Sequence, residues 1–100
     1  MESGFENISV DFSLKAQKLF TLNYENFRVT TKNLDRQKDE NVFQLQLEKF
    51  MRTLRLQLEN VANDLLSKNK AIQNIDRCNQ LLRDNINIYL KEFRQKARSL

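Results

Sequence analysis

The sequence predicts an all-α protein in which a short N-terminal helix folds against one long helix that enters a coiled-coil bundle. The 100 residues include one glycine and no proline, so the chain has few sites for tight turns and a sheet is disfavoured. Apolar residues follow a seven-residue repeat over the second half of the chain. Together, these two observations favour long helices.

The first third is expected to contain a flexible N-terminus, residues 1–11, and a helix over about residues 12–33. Residues 8–14 alternate between apolar and polar types, as a strand does. A lone strand has no pairing partner in this chain, so a helix is the favoured interpretation. The helix carries an apolar stripe formed by Phe12, Ala16, Leu19, Phe20, Phe27 and Leu34.

A connector is expected at about residues 34–40, where polar residues with low helix propensity cluster. Either Asp39 or Asn41 is suited to cap the helix that follows. Because the segment lacks glycine and proline, a break is not compelled, and one continuous helix remains an alternative.

A reversal at this connector would bring Phe27 level with Phe50, so the first helix would cover the apolar face that Phe43 and Phe50 widen. The alternative is that these phenylalanines face a partner directly. The residues predicted to pack in the hairpin are Phe12, Ala16, Leu19, Phe20, Phe27, Leu34, Phe43 and Phe50.

The strongest signal is a heptad repeat within a predicted long helix over about residues 41–98. With Met51 at position a and Leu54 at position d, thirteen of the sixteen a and d positions are apolar or aromatic. Such a helix would be about 85 Å long and could not cover its own stripe, so it would need partners. The predicted partner interface comprises Leu47, Met51, Leu54, Leu58, Val61, Leu65, Ile72, Ile75, Asn79, Leu82, Ile86, Tyr89 and Phe93.

Three polar residues interrupt this stripe: Lys68, Asn79 and, near its C-terminal end, Lys96. Asn79 at position a is expected to meet a polar group on another helix and fix the register, at a cost in stability. Lys68 at position d either extends its ammonium group to water or meets a partner carboxylate. The e and g positions form no oppositely charged pairs, and several are small or apolar. This pattern favours a three- or four-helix bundle with other proteins over a parallel homodimer.

Charge and composition bound the function. The C-terminal bases Lys91, Arg94, Lys96 and Arg98 suit contact with an acidic partner or phosphate, or complement the helix dipole. Histidine, a glycine-rich phosphate loop and a Cys/His metal pattern are absent, so no enzymatic activity, cofactor or metal is expected. The lone Cys78 and the lack of a long apolar run favour an intracellular protein, cytoplasmic or nuclear, without a membrane span.

These features predict a non-enzymatic scaffold or adaptor subunit of a hetero-oligomeric complex of helical proteins. Chromosome-segregation, cytoskeletal and vesicle-tethering complexes contain such subunits, and the parallel rests on architecture alone. The alternative is a helical protein that associates with nucleic acid through its basic C-terminal helix. Acids match bases in the segment before the heptads, which disfavours a basic-zipper arrangement.

Overall fold

The computed structural model describes residues 3–68 and 75–100, with side chains from residue 7 onward. This part of the chain contains three α-helices and no strand: α1 is Ser3–Thr31, α2 is Glu40–Lys68 and α3 is Ile75–Arg98. The protein measures 54 × 19 × 18 Å, which is the shape of helices packed side by side. The all-α prediction is confirmed.

The first helix is longer than the sequence predicts. It begins at Ser3, whereas a start near residue 12 is expected from the apolar stripe. Ile8 lies one turn before Phe12, and its side chain is 1% exposed in the core. Residues 3–11 are therefore part of α1, because the core-facing stripe continues toward the N-terminus.

The chain leaves α1 after Thr31 and reverses through a connector held by two aspartates. One Asp35 carboxylate oxygen accepts a hydrogen bond from the backbone amide of Gln37 at 2.8 Å. The Asp39 carboxylate accepts from the amide of Asp35 at 3.0 Å, and the Asp39 carbonyl accepts an amide of the first turn of α2 at 2.9 Å. These carboxylates satisfy turn amides that would otherwise be orphaned, so the chain reverses here without glycine or proline.

The predicted continuous helix over residues 41–98 is wrong, because α2 and α3 are separate helices that run antiparallel. Arg98 Nη2 in the last turn of α3 donates to Gln44 Oε1 in the first turns of α2 at 2.7 Å. Each helix covers the apolar stripe of the other, so the chain is 54 Å long and not about 85 Å. Residues 69–74 lie outside the described part of the chain.

An aromatic cluster joins the three helices near one end of the bundle. Phe27 of α1 is fully buried, and its ring centroid lies 5.3 Å from Phe43, 5.6 Å from Phe50 and 5.9 Å from Phe93. These are edge-to-face contacts, the geometry that the ring quadrupoles favour. Phe12 contacts Tyr89 at 6.3 Å and, further along both helices, Tyr24 contacts Phe93 at 5.8 Å, so α1 and α3 run in the same direction and the order is up-down-up.

Candidate protein-interaction surfaces

The residues predicted to form a partner interface lie mainly in the core of this same chain. α1 and α3 cover the α2 stripe from both sides, so the stripe is not an open seam. Ile75, at the start of α3, remains 42% exposed, and Ile72 lies outside the described residues. Leu47, Leu54, Leu58, Leu65, Leu82, Ile86 and Phe93 are buried, while Met51, Val61, Asn79 and Tyr89 are half-buried.

The residues predicted to pack in a hairpin all lie in this core or against it. The predicted pairing of Phe27 with Phe50 is present, with the rings 5.6 Å apart. Phe12, Ala16, Phe27 and Phe43 are buried, and Leu19, Phe20, Leu34 and Phe50 pack around them.

Lys68, the charged residue in the predicted seam, is the last residue of α2 and points to solvent. Its ammonium group lies 3.1 Å from the Asp64 carboxylate, and both side chains are more than half exposed. An exposed pair at this spacing contributes about 0.3–0.5 kcal/mol. Lys68 interrupts the apolar pattern at the last residue of α2, and its side chain does not pack between helices.

A buried polar link between α1 and α2 was not anticipated from the sequence. Asn23 is 5% exposed, and its Nδ2 donates to Gln57 Oε1 at 2.7 Å and to the Leu19 carbonyl oxygen at 2.8 Å. An unpaired buried amide costs on the order of 1–3 kcal/mol, so this link favours one register of α1 on α2. The sequence signal is an asparagine on the core side of the α1 stripe.

Two of the four C-terminal bases are already engaged within the chain. The Lys96 ammonium lies 4.6 Å from the centroid of the Tyr24 ring, and the Tyr24 hydroxyl donates to the Lys96 carbonyl oxygen at 3.3 Å. Arg98 donates to Gln44 on α2. Lys91 and Arg94 are exposed and form no ion pair with the residues that the structure describes. These two cations are therefore available to a partner.

The outer face of α1 carries an aligned row of exposed aliphatic side chains, called here the α1 outer stripe. It consists of Val10, Leu14, Leu22 and Val29, which are 58%, 56%, 56% and 73% exposed. At 3.6 residues per turn, their spacing places them within an arc of roughly 120°, opposite the core residue Phe27. α1 thus carries exposed aliphatic residues opposite its core face, with the exposed Lys18 and Glu25 between them.

The outer faces of α2 and α3 differ from that of α1. On α2, Val42, Leu45 and Leu56 are 44%, 66% and 55% exposed, so α2 carries three such residues against four on α1, and charged residues lie between them on both helices. On α3, Ile88 is the one large aliphatic residue that is more than half exposed within the described helix. Single exposed apolar side chains are ordinary on protein surfaces, whereas an aligned row is not.

An open polar groove of about 560 Å³ separates α1 from α3. Phe20 and Tyr89 line its apolar part, and the hydroxyl groups of Ser13 and Tyr89 lie 3.4 Å apart within it. Glu92 is the one carboxylate among the lining residues, so the groove lacks a pair of groups for acid–base chemistry. It offers hydroxyl and amide groups for hydrogen bonding.

The described residues contain no group of three or more histidine, cysteine, aspartate or glutamate side chains placed to hold a metal ion. Within the same ranges, no helix combines the length and hydropathy that a membrane span needs. The Cys78 thiol is free and buried against the core, where it acts as a small packing side chain.

Comparison with known proteins found no relative of this chain. The chain matches no protein-family model, no curated protein and no solved structure.

Proposed function

We propose that this protein is a non-enzymatic, intracellular adaptor subunit that binds a helix of another protein through the α1 outer stripe. The observation that carries the proposal is the alignment of Val10, Leu14, Leu22 and Val29 opposite the core face of the same helix. A helix at the surface of a globular protein normally presents a polar outer face. A helix that is apolar on both sides is suited to being covered on both.

The energetics favour covering this stripe. Full burial of one valine or leucine side chain is worth about 1.5–3 kcal/mol, so four half-exposed side chains supply several kcal/mol of favourable burial. Association and side-chain ordering offset part of that sum. The steps of four, eight and seven residues along the stripe suit ridges-into-grooves packing against a second helix.

One charge within the stripe, Lys18, disfavours a contact with a second copy of this chain that is centred on that residue. Lys18 is exposed midway between Leu14 and Leu22. In a two-fold contact of two antiparallel α1 helices centred on the stripe, Lys18 would face its own copy. Like charges in that position are unfavourable, whereas a partner carboxylate opposite Lys18 would be favourable. A homodimer centred on Lys18 is therefore disfavoured, and we propose a different protein as the partner.

The architecture also suits the settings in which small helical subunits hold larger assemblies together. Chromosome-segregation, cytoskeletal and vesicle-tethering complexes are examples, by analogy of architecture. What supports a place in such a complex is a self-contained helical core combined with an unsatisfied apolar helix face.

The test is affinity capture from the source cells, followed by mass spectrometry, with the wild-type chain and two variants. The first variant replaces Leu14, Leu22 and Val29 with serine, and the control replaces Leu45 and Leu56 on α2 with serine. We expect the α1 variant to lose a helical partner that the wild type and the α2 control both capture. All replaced side chains are exposed, so circular dichroism should show equal helicity. Retention of the same partners by the α1 variant would contradict the proposal.

A further inference from the structure

A second surface lies between the outer sides of α2 and α3, where arginines from both helices converge. Two depressions of about 300 Å³ and 220 Å³ lie next to one another there and share Arg55. The first also contains Arg83 with the buried Ile86, and the second contains Arg52 and Arg94. We call this surface the arginine groove, defined by Arg52, Arg55, Arg83 and Arg94.

The cations of the arginine groove are unpaired. All four arginines are exposed, and none forms an ion pair or a hydrogen bond with the described residues. Two carboxylates, Glu48 and Glu59, also line the depressions, and Glu48 accepts a hydrogen bond from Gln44 at 3.1 Å. Because arginine stays protonated at any physiological pH, the groove carries a net positive charge.

The charges of the groove follow a helical spacing. On α2, Glu48, Arg52, Arg55 and Glu59 succeed one another at steps of four, three and four residues, which places them on one face. Their signs run negative, positive, positive, negative. On α3, Arg83 and Arg94 share a face and lie about three turns, or ~16 Å, apart. The pattern is thus a positive centre with negative ends on α2, facing a positive flank on α3.

We propose that the arginine groove binds an acidic amphipathic helix of a partner protein. Carboxylates at the centre of that helix lie opposite Arg52 and Arg55, and basic residues at its ends lie opposite Glu48 and Glu59. A helix reproduces the 1.5 Å rise of α2, so its charges stay in register along the groove. The half-buried Met51 lines the second depression and suits an aliphatic side chain of the same helix.

The groove fits a protein helix better than a nucleic acid. A phosphate backbone presents negative charge at every step, so Glu48 and Glu59 would oppose it at both ends of the α2 row. A protein helix can place opposite charges at those two points. Fork-shaped guanidinium groups suit carboxylates as well as they suit phosphates.

This inference goes beyond the proposed function, because the arginine groove and the α1 outer stripe are different surfaces. No α1 residue lines either depression of the groove. The protein therefore presents an apolar contact on one side and a charged contact on another. A substitution that abolishes partner binding at one surface should leave partner binding at the other surface unchanged.

Fluorescence anisotropy with the full chain tests the groove. The probe is a labelled amphipathic peptide of about 20 residues, or ~30 Å of helix, with glutamates and leucines on one face. We expect Arg55→Glu combined with Arg83→Glu to weaken binding by roughly tenfold or more, because the reversed charges repel the peptide carboxylates. The matched control, Lys38→Glu with Arg77→Glu, makes the same change in net charge at exposed residues that line neither depression, and it should bind the peptide like the wild type.

Several results would overturn the proposal. Unchanged binding by the Arg55→Glu, Arg83→Glu variant would remove the groove from the interaction. Binding of a glutamine-for-glutamate peptide with equal affinity would show that charge is not recognised. Tighter binding of a duplex DNA oligonucleotide, lost in the same variant, would assign the groove to nucleic acid. If the glutamate variant loses helicity, Arg55→Gln with Arg83→Gln replaces it in the same assay.

Discussion

The first and third helices of the bundle meet the same core but differ on their outer faces. Phe27 of α1 and Phe93 of α3 are both fully buried and contact each other. Two residues after Phe27, Val29 is 73% exposed, whereas Arg94 follows Phe93 on the outside of α3. Packing within the chain therefore accounts for the apolar residues of α3 other than Ile75 and Ile88, but it leaves the aliphatic residues of the α1 outer stripe exposed.

The largest expected effect separates the two faces of α1. Phe27→Ala should lower the free energy of unfolding by about 3–5 kcal/mol, because it removes the ring that contacts aromatic side chains of both other helices. Val29→Ala, on the outer face, should change it by less than about 0.5 kcal/mol. Urea denaturation followed by circular dichroism measures both. Equal effects of the two substitutions would remove the distinction between the faces.

A smaller effect is expected at the polar link that fixes α1 against α2. Gln57→Leu leaves one N–H of the buried Asn23 amide without its partner, so it should destabilise the protein by about 1–3 kcal/mol. Asn23→Leu in the same background should recover part of this loss, since both polar groups are then gone. A double-mutant cycle measures the coupling. Additive effects would show that the 2.7 Å contact contributes nothing specific.

The smallest effect concerns the α1–α3 contact. Lys96→Ala removes a cation that lies 4.6 Å from the Tyr24 ring, so the free energy of unfolding should fall by about 0.5–1 kcal/mol. Lys91→Ala, an exposed base on the same helix, serves as the control and should have no measurable effect. A larger loss for Lys91→Ala than for Lys96→Ala would contradict the placement of Lys96 against α1.

The sequence predicts the helical class correctly, because apolar residues recur at helical spacing. It assigns the heptad stripe to a partner interface, whereas most of those residues lie in the core of this chain. It also predicts the reversal after α1, where Asp35 and Asp39 stabilise the turn. It does not predict the second reversal, since a heptad stripe is satisfied equally well by a partner protein or by an antiparallel neighbour in the same chain. The available signal is the pair of polar seam positions, Lys68 and Asn79, which lie on either side of that reversal.

The α1 outer stripe was missed for a related reason. Val10 and Leu14 belong to the segment in which apolar and polar residues alternate, as they do in a strand. When this segment is assigned to a helix, the apolar stripe includes Phe12 but not Val10 or Leu14. In the structure, Phe12 faces the core while Val10 and Leu14 face outward. The alternation is the signature of a helix that is apolar on two sides.

The residues of the predicted partner seam lie mainly inside the bundle. Residues such as Leu54 and Leu82 satisfy the heptad pattern, yet both are fully buried within the chain. They stabilise the bundle and leave no open seam. The surfaces that we propose for partners are the α1 outer stripe and the arginine groove, and the residues that define them lie outside the a and d positions of the heptads.

The central claim is that α3 folds back along α2 within one chain, and the distance between the two ends of this pair tests it most directly. Donor and acceptor dyes at Gln44→Cys and Arg98→Cys, in a Cys78→Ala background, report that distance by energy transfer. Labelled protein diluted into excess unlabelled protein restricts the signal to one chain. We expect near-complete energy transfer, because the native side chains at these two positions are hydrogen-bonded and the dyes would therefore lie close together. Transfer close to zero, as expected for the ~80 Å separation along one continuous helix, would contradict it.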